Sequence, residues 1–108
     1  MAQTGADLDV WIGENISLTL TCKNADGTAF NLTGYTAAGV MRTNPTATVA
    51  LDFVPTIPTP ANGIVVINVS TTGVAAGPYG WDVQIKLGAN APVVIGYGTV
   101  KLRRKNTP

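Results

Sequence analysis

The groups able to do chemistry are few and scattered. Six carboxylates (Asp7, Asp9, Glu14, Asp26, Asp52 and Asp82), one thiol (Cys22) and seven cations are spread over 108 residues that contain no histidine. The missing histidine excludes Ser/His and Cys/His nucleophile pairs and imidazole-based metal sites. A glycosidase-like carboxylate pair would have to form by folding alone. Asp7-Leu8-Asp9 lacks the further oxygen ligands and the glycine of a calcium loop, so solvated strand-edge carboxylates are the better reading. Gly96-Tyr97-Gly98 lacks the spacing and following helix that phosphate cradling requires and falls inside a strand pattern. No enzyme, metal site or cofactor is expected.

Two further patterns have plain readings. Asn15-Ile16-Ser17, Asn31-Leu32-Thr33 and Asn68-Val69-Ser70 match the glycosylation triplet, but Met1 to Asp7 has neither a basic nor an apolar leader segment, so abundance of Asn, Ser and Thr explains them. Lys101, Arg103, Arg104 and Lys105 supply four of the seven cations. With a net charge of +1 and no interleaved aromatics, they suit an acidic protein surface or a solubilising tail better than nucleic acid. No apolar run approaches the roughly 20 residues of a membrane span, and a lone cysteine forms no internal disulfide.

The elements that must position these groups are strands. Tyr79, Trp81, Val83, Ile85 and Leu87 share one face of a period-2 zigzag, with Gly80, Asp82, Gln84 and Lys86 on the other, which marks a half-buried central strand. Ile16, Leu18, Leu20 and Cys22 alternate almost as cleanly against Ser17, Thr19, Thr21 and Lys23. Asp26-Gly27 supplies a tight reversal between that strand and a short return over 29–32. Residues 35–42 place Tyr35, Ala37, Gly39 and Met41 inward, and the small Ala37 and Gly39 are expected to leave room for Trp81.

Shorter strands are expected over 8–12 and 49–53, and further ones over 64–70 and 93–102, the last pairing with 79–87 as a hairpin. Three prolines within 55–63 remove backbone donors and mark an extended crossing or projecting loop. About eight short strands with turn signals between them and no credible helix define an all-β chain, read as an immunoglobulin-like antiparallel β-sandwich. The expected organisation is a flexible or docking arm over 1–7, the sandwich over 8–102 and a basic tail over 103–108.

Surface character then points to contacts. Only 12% of residues are charged, against roughly 25–35% on the surface of a free-living domain, which suggests that other protein covers part of it. The registers above place Val40, Ile64, Val66, Val93, Ile95 and Tyr97 outward as a subunit interface. Pro55, Ile57, Pro58 and Pro60 with Arg103, Arg104 and Lys105 form the expected docking loop and tail. Tyr79, Trp81, Val83, Ile85, Leu18 and Leu20 are the expected core anchors.

The ordered set Trp11-Ile12-Gly13-Glu14-Asn15-Ile16-Ser17-Leu18-Thr19-Leu20-Thr21, Asn24-Ala25-Asp26-Gly27-Thr28, Leu32-Thr33-Gly34-Tyr35-Thr36-Ala37 and Gly77-Pro78-Tyr79-Gly80-Trp81-Asp82-Val83 resembles the small immunoglobulin-like module of tailed-phage virions. It is similar to the N-terminal domain of baseplate upper proteins, over about Trp11 to Leu102. Val40, Ile64 and Val66 depart from the polar residues expected there in that family. The resemblance implies a non-enzymatic virion component, assembled in the host cytoplasm, that attaches to or bridges other virion proteins in the tail, baseplate or fibre region, as a homo-oligomer or symmetric array. Capsid decoration on the head is the alternative placement. A carbohydrate- or cell-surface-binding module, with Trp11 and Tyr97 as its aromatic platform, is an alternative of a different class.

Overall fold

Strict alternation builds the central strand and its neighbours first. The computed structural model describes residues 4–104. Its first sheet holds five strands in the order β1-β7-β6-β3-β4: β1 (Thr4–Trp11), β7 (Val93–Arg103), β6 (Gly77–Leu87), β3 (Tyr35–Arg42) and β4 (Leu51–Asp52). The second pairs β2 (Asn15–Thr21) with β5 (Ile64–Ser70). All pairings are antiparallel except β1 with β7, which run parallel from Thr4 beside Gly96 to Trp11 beside Arg103. The described chain is thus an all-β domain of two packed sheets, an immunoglobulin-like sandwich.

The inward phases of both sheets meet in one core. Ile16, Leu20, Val65 and Ile67 from the pair face Met41, Trp81, Val83, Ile85, Val100 and Leu102 from the five-stranded sheet, with Phe53 just after β4 beside them, all buried. Tyr79 is buried too, and its hydroxyl donates to the carbonyl of Ala75, 2.7 Å away. This tie from the start of a strand back to the preceding connection is the tyrosine corner of Ig-like sandwiches. In antibody domains a cysteine follows that tyrosine by two positions; here Trp81 holds the place and fills the space between the sheets. Leu18, expected among the core anchors, packs against the core but stays half-exposed.

Room for Trp81 comes from β7 and not from β3. A Cβ on Gly96 would lie 2.9 Å from Leu20 Cδ1 and 3.1 Å from the Trp81 ring, and one on Gly98 would strike the carbonyl of Ala6. The Trp81 indole N–H donates to that same carbonyl at 3.1 Å. Gly39 is instead kept small by Val83, the Asp82 carbonyl and Pro55. Two aromatic rings of the core, Phe53 and Trp81, lie 6.1 Å apart.

Several boundaries differ from expectation. The first strand starts at Thr4, so residues 4–7 are sheet rather than an arm; residues 1–3 lie outside the described ones. The start of this strand was hidden because residues 4–7 show no hydrophobic alternation, and their place beside β7 comes from parallel backbone pairing. Residues 29–32 form no strand, only a Lys23–Ala29 bridge, although Leu32 is buried. The expected strand over 49–53 shrinks to Leu51–Asp52. The proline-rich segment is a fastened crossing: Thr56 exchanges both backbone hydrogen bonds with Val66 (2.9 and 2.8 Å), and Pro60–Asn62 forms a 3₁₀ turn whose Pro60 carbonyl accepts from Leu32. Thr56 follows a proline and precedes Ile57, so its own N–H is available for the ladder.

Candidate functional site

The groups on the outer face of the five-stranded sheet follow from its registers. Gly5, Asp7, Asp9 and Trp11 of β1 stand beside Tyr97, Thr99, Lys101 and Arg103 of β7. Tyr97 and Thr99 in turn stand beside Asp82 and Gly80 of β6, and those beside Val40 and Arg42 of β3. Because Gly80 has no side chain, the face sinks there into an open trough of about 890 Å³, with Tyr97 and Thr99 on one side and the Arg42 to Pro45 turn on the other. Tyr97 is half-exposed on the wall and Asp82 is exposed on the floor.

Polar ties fix both flanks of the trough. Thr99 donates from its hydroxyl to Asp7 at 2.8 Å, and Arg42 donates to the Ala47 carbonyl at 3.2 Å. Asn44 accepts from the backbone and hydroxyl of Thr46, so the turn is self-braced. Farther along β1, Arg103 Nε donates to Asp9 at 2.6 Å and its guanidinium lies 6.0 Å from the centre of the Trp11 ring. That hydrogen bond and charge hold the Asp9 carboxyl below its ordinary range and Arg103 above its own. Asp26 is likewise lowered, by the hydroxyl and N–H of Thr28 in the 24–28 turn.

The expected interface residues do not form one surface. Val40 and Tyr97 lie on the outer face of the five-stranded sheet, while Ile64 and Val66 lie, half-exposed, on the outer face of the two-stranded one, across the sandwich. Ile95 is buried at 3% exposure. The cause is a bulge opposite Val83 and Gln84: Val83 stands beside Gly96 but Gln84 beside Val94, leaving Ile95 extra and turned inward next to inward Gly96. Val93 therefore shares the face of buried Ile85, and it is exposed because it lies at the open end of the sandwich. A bulge inserts one residue without leaving a compositional mark, so alternation counted back from Tyr97 reads 93 and 95 in the wrong phase.

The expected docking pieces are also dispersed. Pro58 is exposed, whereas Pro55, Ile57 and Pro60 are half-buried, with Ile57 packed against the core. Arg103 belongs to β7, not to a tail; Arg104 is exposed, and Lys105 lies outside the described residues. The feature that sequence reasoning missed is Val54, 67% exposed with φ of 44°, a backbone setting that a β-branched side chain rarely adopts. Its N–H donates to Asp52 at 2.9 Å, which holds the bend.

What this surface can do chemically is bind. Cys22 is buried and its thiol is pushed up by burial, away from nucleophilic use. Among the described residues no group of three His, Cys, Asp or Glu could hold a metal ion, and no helix is long and apolar enough to cross a membrane. The chain is a β-sandwich domain with an exposed sheet face suited to protein contacts.

No protein-family model matches the chain, and no curated protein matches it. Solved structures resemble it loosely. The Lin-41 filamin domain is 15% identical at a TM-score of 0.46, over 90% of this chain and 84% of that one. A family 123 glycoside hydrolase from Clostridium perfringens is 13% identical at 0.45, over 97% of this chain and 24% of that one. A chain from the complex of ICOS with ICOS-L and an anti ICOS-L VNAR domain is 11% identical at 0.41, over 94% and 55%. At such scores these likenesses carry no functional argument.

Proposed function

We propose that this chain is a structural module of a tailed-phage virion that attaches to or bridges neighbouring subunits through the outer face of its five-stranded sheet. The trough at Gly80, walled by half-exposed Tyr97, carries this reading. Its walls are pre-organised by the Thr99–Asp7 and Asn44–Thr46 ties, so docking there orders little that is not already ordered. A tyrosine beside a depression is the kind of anchor that dominates protein interfaces. The virion context rests on the sequence resemblance, and the sparse charge of the chain fits a surface that is covered in an assembly.

Tail, baseplate or fibre attachment is the favoured placement. A glycan platform is not favoured, because Trp11 is occupied by Arg103 and stands beside it at the far end of β7 from Tyr97, roughly 20 Å away at the rise of a strand. Cryo-microscopy of particles carrying the chain tests the reading. Multiples of three or six at one vertex, with Tyr97 against a neighbour, are expected. Hundreds of copies over the head would replace tail attachment by decoration, and particles without the chain would overturn the virion role. Gly80→Arg, which fills the trough from an exposed position, is expected to abolish incorporation while leaving the melting temperature within a few degrees.

A further inference from the structure

The outer face of the five-stranded sheet is divided by charge along β7. The carboxylates of Asp7 and Asp82 line the Gly80 trough, and Asp52 stands one strand beyond, beside Val40. Among the described residues only Arg42 lines the trough with a positive charge, and its guanidinium is engaged by the Ala47 carbonyl. At the other end of β7 come Lys101, Arg103 and Arg104, followed in sequence by Lys105.

Within each end, one group is left open. Asp7 shares an oxygen with the Thr99 hydroxyl, whereas Asp82 makes no ion pair among the described residues. The Tyr97 ring leans toward β1, where a Cβ on Gly5 would stand 3.4 Å from it, so it does not cover Asp82 on the other side of β7. At the basic end Arg103 is engaged by Asp9 and lies near the Trp11 ring. Arg104 has left the strand, is exposed and makes no ion pair among the described residues.

These open groups do not meet within one chain. Tyr97 stands beside Asp82, and Arg104 follows Tyr97 by seven residues, roughly 23 Å at the rise of a strand. Strand β7 runs away from the trough over that whole distance. Neither an Arg104 side chain nor Lys105, one residue farther on, spans it, so a basic group in the trough has to come from another molecule.

We infer that the basic segment beginning at Arg104 docks in the Gly80 trough of a second copy of this chain, with Arg104 against Asp82. The inference rests on the reading of the trough as a docking site and not on a virion setting. Bare backbone at Gly80 and an open volume of about 890 Å³ admit an extended segment rather than a single side chain. A guanidinium placed over Gly80 has the Asp82 carboxylate on the floor as a charge-assisted acceptor and the Asp7 carboxylate on the wall beyond Thr99. Because the contact joins two different surfaces, it is head-to-tail. Each copy offers one trough and one basic segment, so repetition gives an open chain, or a ring where the rotation between copies closes.

A contact this small and this dependent on charge is weak, is favoured by low salt and gains force where copies are held close together. Sedimentation equilibrium of the full chain from about 10 μM to about 1 mM in about 20 mM salt is expected to show an average mass rising past that of a dimer, and about 0.5 M salt to reverse it. Arg104→Gln with Lys105→Gln neutralises the segment, and Gly80→Arg fills the trough. Each change is expected to weaken association roughly tenfold or more. The two variants mixed in equal amounts are expected to form a dimer and go no further, since one intact trough and one basic segment remain, on different chains. Should Gly80→Arg fold poorly, Asp82→Asn, at an exposed position, takes its place. A chain that stays monomeric throughout would overturn the inference and leave the trough to be judged by incorporation of Gly80→Arg into particles. Association lost in Gly80→Arg but kept in the neutralised-segment variant would retain the trough as a docking site and overturn this occupant. An assembly indifferent to Gly80→Arg and to Asp82→Asn would remove both.

Discussion

Trp81 shows how one side chain can set requirements on a strand that it does not belong to. Its ring needs Gly96 and Gly98 of β7 to be bare, and its N–H is satisfied only because β1 brings the Ala6 carbonyl within 3.1 Å. Trp81→Ala is expected to cost about 3–5 kcal/mol in chemical denaturation, from lost burial plus the cavity left. Gly98→Ala tests the other half of the contact. Its Cβ collides with the Ala6 carbonyl, so a loss of about 1–3 kcal/mol is expected, together with faster amide exchange along β1. At this scale the sequence showed that Trp81 faces the core, but not who makes room for it. Ala37 and Gly39 were the plausible partners by size alone; which small residues lie under a large one depends on strand order, and neighbours in the sheet are far apart in the chain.

Elements were legible where alternation is uninterrupted and buried. Strands β2, β3, β5 and β6 fall where the apolar zigzag puts them, and the Asp26-Gly27 reversal is a braced turn with Gly27 at φ of 89°. Strand β1 was only half legible, because Thr4 to Asp7 gains its place from parallel backbone pairing and from ties between polar side chains. The Arg103–Asp9 pair is one of these ties, and it makes β1 sensitive to acid. The folded chain holds the Asp9 carboxyl below its ordinary value, so the pair adds stability in full above the unfolded carboxylate value near about 3.9 and loses it as pH falls through the lower folded value. Wild type is expected to melt above Asp9→Asn at neutral pH, with the gap closing as pH falls through the lowered Asp9 value and shrinking in about 1 M salt. A gap independent of pH would assign the effect to hydrogen bonding rather than charge. Strand β7 was misread for a different reason, since a bulge at Ile95 moves a residue from surface to core with no change in composition.

The described molecule is two sheets of unequal size packed without a disulfide, for the lone cysteine, Cys22, is buried and free. The larger sheet has β6 at its centre, hydrogen-bonded on both sides, and the smaller rests on one face of it. Sequence alone conveyed the two-layer class but not this asymmetry, because which sheet keeps an open edge is decided by where the N-terminal strand pairs. Here it joins β7 and leaves β2 uncovered. Hydrogen exchange on the dilute monomer should display that consequence residue by residue. Amides at the middle of β6, such as Val83, are expected to exchange only with global unfolding, and those of Leu18 and Leu20 to be protected by β5. The amides of Ser17 and Thr19, one position away in the same strand, are expected to exchange orders of magnitude faster, because they point to the open edge. Equal protection of odd and even positions in β2 would mean that the edge is already covered within one chain.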